Sequence, residues 1–253
     1  MATENDDRVD EALAAAEAVL AARFPKASFA IVAGSILRGE GTASSDIDLV
    51  VLHETVPAAW RESFHSHGFP VEAFVHDAET LNWFVDQDAA GGRPVLLDML
   101  ADGVAIGPGL ARAAALQAEA RHRLGAGPVP LTPEQRDALR YQITDLVDDL
   151  RDPRAAAETR AIAAELMTPL ADLMLRGRGR WSGRGKWLPR LISRMDEGLA
   201  ERFDAAFRQA AEGRAADLIR LAEEELERHG GLLFDGDRRV APASARRAGS
   251  LIG

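Results

Sequence analysis

Apolar positions along this chain follow two periods, and the change from one to the other divides it. Near the start, Val9, Leu13, Ala16, Leu20 and Phe24 recur every three to four residues, which predicts a helix over 8–24 closed by Pro25. Short apolar runs at 29–33, 46–53 and 70–76 read as strands. In the last of these Glu72 and Phe74 share one face, with Val71, Ala73 and Val75 on the other. Ser35 as N-cap and Gly41 as a stop predict a short helix over 35–40. Residues 57–67 are expected to form another, with Trp60 and Phe64 inward, before Gly68 turns the chain. Asp77 reads as the N-cap of a helix over 78–88, PVLLDMLADG as a helix closed by Gly103, and 107–124 as one more.

Beyond residue 124 the strand signal disappears. GAGPVPLTP at 125–133 reads as a linker, and its Thr132-Pro133 supplies an N-cap and N1 proline for a helix to about residue 151. Helical patterns follow over 154–176, 187–211 and 214–229, so four helices with short joints predict an antiparallel bundle. The expected class is α/β (α+β): a small mixed-sheet domain over 1–124, a linker, a helical bundle over 134–230, and a small, basic, mobile tail over 231–253.

Composition narrows the partners. At 253 residues the chain is long enough for one large domain or two ordinary ones. No run of 18 apolar residues occurs, and the acidic start MATENDDRVDEA lacks a cationic leader pattern, so no membrane partner and a cytoplasmic location are expected. Absence of cysteine removes thiolate chemistry and cysteine-ligated zinc. A formal charge of −10 argues against a nucleic-acid partner and suits a cationic small molecule or protein surface. The histidines form no metal-ligand spacing, and neither a Gly-x-Ser-x-Gly elbow nor a P-loop lysine motif is present.

Candidate chemistry concentrates in AGSILRGEGTASSDIDLVVL, residues 33–52. Gly34-Ser35 after a strand can present backbone N–H groups and a hydroxyl to a phosphate. Asp46 and Asp48, at i and i+2 on a strand, point to one face while Ile47 points into a core. Two acids so close repel unless a cation lies between them, which suits a hard divalent metal. The competing reading makes Ser44, Ser45 and Asp46 a polar turn and Asp48 a solvated strand residue.

Gly-Ser, a gap of about a dozen residues and then Asp-x-Asp on a strand resembles the nucleotidyltransferase superfamily typified by DNA polymerase beta. With the helical second half, the chain resembles aminoglycoside and lincosamide nucleotidyltransferases, which place an acceptor between two domains. The resemblance implies transfer of a nucleoside monophosphate, usually AMP from ATP, to a hydroxyl-bearing small molecule, with pyrophosphate leaving. It implies two Mg²⁺ ions held by Asp46 and Asp48, and the β/γ-phosphates held by Gly34 and Ser35 with help from Arg38. Glu72 falls where the superfamily puts its third carboxylate, as metal ligand or general base. Otherwise Glu72 is an exposed acid on an edge strand, with Asp98 and Asp102 as rival third acids. Other readings are a protein-directed AMP transferase of toxin–antitoxin type and a non-catalytic nucleotide-binding protein. A homodimer is left open.

Residues 176–194 carry seven basic residues and no acid, with Trp181 and Trp187 among glycines. The segment reads as a clamp on triphosphate through Lys186 and an arginine, as a solvated loop pairing with acidic helices, or as a single-strand binder. Under the clamp reading, Lys186→Ala raises the KM for ATP by roughly ten- to a hundredfold, the loss of one charge-assisted bond, and leaves the acceptor KM alone. Steady-state titration of ATP against the variant checks this, and an unchanged KM removes the clamp.

Overall fold

A computed structural model describes residues 4–246. The C-terminal end of the expected mobile tail, 247–253, lies outside the described residues, as do residues 1–3 of the acidic start. The chain forms two compact units. One holds the described residues through Val129 together with Gly179–Gly183; the other holds Pro130–Arg178 and what is described from Arg184 on.

The first unit is a mixed sheet with helices on both faces. Its strands are β1 (Phe29–Ala33), β2 (Ile47–Leu52), β3 (Trp60–Ser66), β4 (Phe69–His76) and β5 (Val104–Ile106), in the order β3-β4-β2-β1-β5. β2 and β4 are parallel, and the other neighbours are antiparallel. α1 (Glu4–Arg23) covers one face, where Ala12, Ala16, Val19 and Leu20 meet Ala30, Val32, Leu49, Val51, Val71 and Ala73. α2 (Ala78–Gly91), α3 (Val95–Asp102) and α4 (Leu110–Ala126) cover the other, against Phe29, Ile31, Val50 and Leu52. Strands buried on both faces explain the continuous apolar runs FAIVA and LVVL.

Two expectations for this unit need correction, and one strand was not foreseen. Residues 57–67 are not helical: they contain β3, paired antiparallel with β4 from Trp60↔Val75 to Ser66↔Phe69. Trp60 and Phe64 are four apart, a spacing in phase for a helix turn and for alternate strand positions alike, so the apolar pair could not decide between them. The hairpin did: His67 (φ 49°) and Gly68 (φ 83°) form a two-residue turn with both φ positive, the twist that joins antiparallel strands. Residues 35–40 form hydrogen-bonded turns, Gly39 N to Ile36 O and Glu40 N to Ser35 O, in place of a helix. The three-residue β5 was not foreseen, being too short to show a period.

The second unit is helical: α5 (Pro133–Arg151), α6 (Ala156–Arg176), α7 (Trp187–Met195), α8 (Glu197–Ala211) and α9 (Ala216–Glu227). The expected single helix over 187–211 breaks at Asp196, which turns extended (φ −159°) and caps α8 by accepting from Leu199 N at 2.9 Å. Ile143, Val147, Leu166, Leu170, Leu173, Ile192, Phe203, Leu218 and Leu226 are among its core residues. Glu225 is buried there with the Arg178 guanidinium on both its oxygens, at 2.6 and 2.7 Å, and His229 Nε2 at 3.0 Å. After α9, Arg140 donates to Gly230 O and Gly231 O, and Leu233 N donates to Thr144 Oγ1.

The basic segment is not one free loop. Gly179–Gly183 belongs to the sheet unit: the Trp181 indole donates to Leu124 O at 2.9 Å and Ser182 N to Gly92 O at 2.8 Å. Trp187 instead takes Arg190 and Arg194 over its ring, at 5.3 and 5.9 Å.

Gly103, between α3 and β5, gives a test of the packing. A Cβ there would lie 2.4 Å from Ile31 Cγ2, 2.6 Å from Met99 O and 2.7 Å from Val32 O, and two of those three atoms are backbone. Gly103→Ala should destabilise the sheet unit by about 1–3 kcal/mol, the usual range for overpacking. A thermal melt of the variant beside wild type checks this, and an unchanged melting temperature would contradict the packing.

Candidate active site

The candidate site grows from three neighbouring strands. β1 ends at Ala33, whose register partner on β2 is Asp48; on the other side of β2, Asp48 is in register with Glu72 of β4. Alternation puts Asp48 on the same face as Val50 and Leu52, and Glu72 on the same face as Phe74. Val50 and Leu52 lie under α2–α4, whereas Asp48 and Glu72 stay half-exposed. Ile47 is buried on the α1 side, and Asp46 is exposed immediately before β2.

Gly34 brings the turn against this pair. Its φ is +112°, and a Cβ would stand 3.1 Å from Asp48 Oδ2 and 3.3 Å from Asp46 O. Any side chain would be strained by the backbone and would crowd the carboxylate. Ser35, half-buried, donates its hydroxyl to Ser45 Oγ at 3.0 Å, and Ser45 Oγ accepts from Thr42 N at 2.8 Å. Ser45 thus stitches the far end of the 35–45 turn back to its start, just before the two aspartates.

Electrostatics mark Asp48 as the focus. Its carboxyl is pushed up to about 6, first by burial and then by the charges of Asp46 and Glu72; Arg38 and Arg61 pull the other way. Asp48 therefore feels all four of these charges within the sheet unit. Arg38 follows Ser35 in the turn, 3.8 Å from Glu40 Oε2. Glu72 is paired with the Arg61 guanidinium and lies 3.4 Å from Ser63 Oγ. Asp98 and Asp102 are exposed on α3, and Lys186 belongs to the helical unit, exposed just before α7.

Arg61 and Ser63 were missed because their strand was read as a helix. In β3 they alternate with Glu62 and Phe64, and the register puts Ser63 beside Glu72 and Arg61 beside Phe74. The signal was the turn-forming His67-Gly68 pair, which commits the preceding residues to a hairpin.

Asp46, Asp48 and Glu72 are hard oxygen donors of the type a divalent ion takes, and Gly34 leaves open the space beside Asp48 that a side chain would crowd. Among the described residues no three His, Asp or Glu side chains stand ready to hold an ion as they are placed. Glu72 is drawn instead to Arg61.

No protein-family model matches the chain, and no curated protein matches it in sequence. Among solved structures, a nucleotidyltransferase-like protein from Exiguobacterium sibiricum 255-15 aligns with a TM-score of 0.43 and 12% identity, over 86% of this chain and 76% of that one. At that distance the likeness says nothing about chemistry. No helix among the described residues is long and apolar enough to cross a membrane.

Asp48 makes a pH-dependent prediction. Its folded pKa, about 6, lies above the ordinary 3.8, so its ionised form opposes folding above pH 6 and the opposition fades as pH falls toward 3.8. Asp48→Asn should stabilise the metal-free protein at pH 8 by roughly 1–2 kcal/mol, after allowance for solvent at a half-exposed group. At pH 4 the gain should vanish. Melting curves of both proteins at the two pH values check this, and a gain independent of pH would contradict it.

Proposed function

We propose that this chain is a nucleotidyltransferase that moves a nucleoside monophosphate, AMP from ATP, onto a hydroxyl of a small-molecule acceptor. One observation carries the reading: Asp48, its carboxyl raised to about 6, lies between the Gly34-Ser35 turn and Glu72, with Asp46 next to it on the chain. Acids gathered this way repel one another, and a divalent cation among them relieves the repulsion further than Arg38 and Arg61 do.

In this proposal Asp46 and Asp48 hold divalent cations, with Glu72 completing the set once it leaves Arg61. Bound Mg²⁺ would supply charge neutralisation to the triphosphate and polarise the phosphorus under attack. The chain's own groups do the rest. Gly34 and Ser35 offer a backbone N–H and a hydroxyl to the β/γ-phosphates, and Arg38 adds a fixed positive charge. Glu72 takes the proton of the acceptor hydroxyl as its oxygen bonds to the α-phosphorus and the bond to the β-phosphate oxygen breaks. Pyrophosphate departs. The acidic character of the chain suits a cationic acceptor, of which aminoglycosides are the class to try first.

Incubation with ATP, Mg²⁺, an aminoglycoside and lincosamide panel and cell lysate, read by mass spectrometry, tests the proposal. A gain of one AMP on a small molecule supports it; the same gain on a protein moves the acceptor class; no gain anywhere overturns transfer.

Three substitutions refine it. Asp46→Asn or Asp48→Asn should abolish the rise in melting temperature that Mg²⁺–ATP gives wild type. An equal rise in the variants would refute the metal assignment. Glu72→Gln should cut turnover at least about a hundredfold while ATP affinity holds, the scale of a lost general base; full activity in that variant would move the role elsewhere.

A further inference from the structure

We infer that Arg61 is a built-in counter-cation of the acidic site, occupying Glu72 in the metal-free protein and competing with a divalent ion for it. The inference rests on the metal site proposed above and adds a residue that the Gly-Ser and Asp-x-Asp pattern does not contain.

Three observations carry it. The hairpin register puts Ser63 beside Glu72 and Arg61 one pair further along, so the β3 residues facing the acids include a permanent cation. The guanidinium pairs with Glu72 Oε1 and lies over the Phe74 ring, 5.4 Å from its centroid. Phe74 is the next residue on the same face of β4, so ring and carboxylate together fix where the guanidinium rests. Finally, Glu72 is directly opposite Asp48, yet no three carboxylates stand ready to hold an ion among the described residues.

The two cations compete for one oxygen. The Arg61 guanidinium and the Ser63 hydroxyl both donate to Glu72 Oε1, so a divalent ion reaching that oxygen meets a cation already in place. With Arg61 in place, Asp46, Asp48 and Glu72 are partly neutralised, which holds the acidic face together before a metal arrives. Metal binding at Glu72 then weakens the Arg61–Glu72 pair, and the energy lost there is subtracted from the metal's affinity. The Arg61 side chain is 60% exposed, so the pair is of the weaker, solvent-screened kind and the subtraction is modest. Once released, Arg61 remains tethered beside the site by β3.

Mn²⁺ binding to the full chain, with free ion counted by electron paramagnetic resonance at physiological salt, tests this without any need for turnover. Arg61→Gln should bind Mn²⁺ roughly three- to tenfold more tightly than wild type, the fold-change that corresponds to an exposed ion pair. Arg61→Lys, which keeps the charge but loses the planar fork, should fall between. In a Glu72→Gln background the gain from Arg61→Gln should disappear. A gain that persists there would reflect general charge removal and overturn the competition for Glu72. Equal or weaker binding by Arg61→Gln, with wild type binding Mn²⁺ in an Asp48-dependent way, overturns the inference but leaves the metal site standing. No binding by wild type or by Arg61→Gln overturns both. Should Arg61→Gln melt well below wild type, the Arg61→Lys comparison decides alone: binding no tighter than wild type overturns the inference.

Discussion

Parallel pairing of β2 with β4 puts Asp48 and Glu72 side by side on one face, and with Asp46 immediately before β2 three acids gather at one end of the sheet. Burial pushes the Asp48 carboxyl up to about 6, and the like charges of Asp46 and Glu72 add to the rise. The register cannot slip to relieve it. A one-residue shift would turn Val71, Ala73 and Val75 out of the core under α1, and apolar burial outweighs the repulsion of half-exposed acids. Hydrophobic packing on one face thus imposes an electrostatic problem on the other.

Neighbouring elements answer that problem in different ways. α2, α3 and α4 cover the far part of the same face, over Val50 and Leu52, while the acids remain open to solvent or to a ligand. Gly34 lets the β1 turn pass against Asp48 where a side chain would not fit. β3 contributes Arg61, whose charge offsets the acids through Glu72. In the function proposed above, the acids, the close glycine turn and the arginine counter-charge would together receive a cation and an anionic substrate.

The helical unit solves a different problem within itself. Its buried Glu225 is compensated by Arg178 and His229, so a costly charge is fully paired inside an apolar core. That pairing gives one of the seven basic residues at 176–194 a structural duty. Trp181 and Ser182, in the same stretch, serve the sheet unit through hydrogen bonds to Leu124 and Gly92. A segment that composition alone marked as a single basic loop is therefore divided among separate roles.

Much of this was legible in the residues alone. Strong apolar runs identified β1, β2 and β4, and helix periodicity with capping residues such as Asp77 and Thr132 located α2 and α5. Asp46 and Asp48 could be named from alternation along an expected strand, Gly34 and Ser35 from the turn after one, and Glu72 from the motif resemblance. What local rules could not supply was β3. Trp60 and Phe64 satisfy helix and strand equally, and only pairing with β4 across the His67-Gly68 turn selects the strand. Arg61 acquires its place beside Glu72 from that pairing, so it was invisible to any reading of one segment at a time. The chain by itself determined which side chains carry charge and which faces are apolar. Tertiary structure decided which charges meet, because contacts between strands depend on register and partner, and neither is encoded within one strand's own sequence.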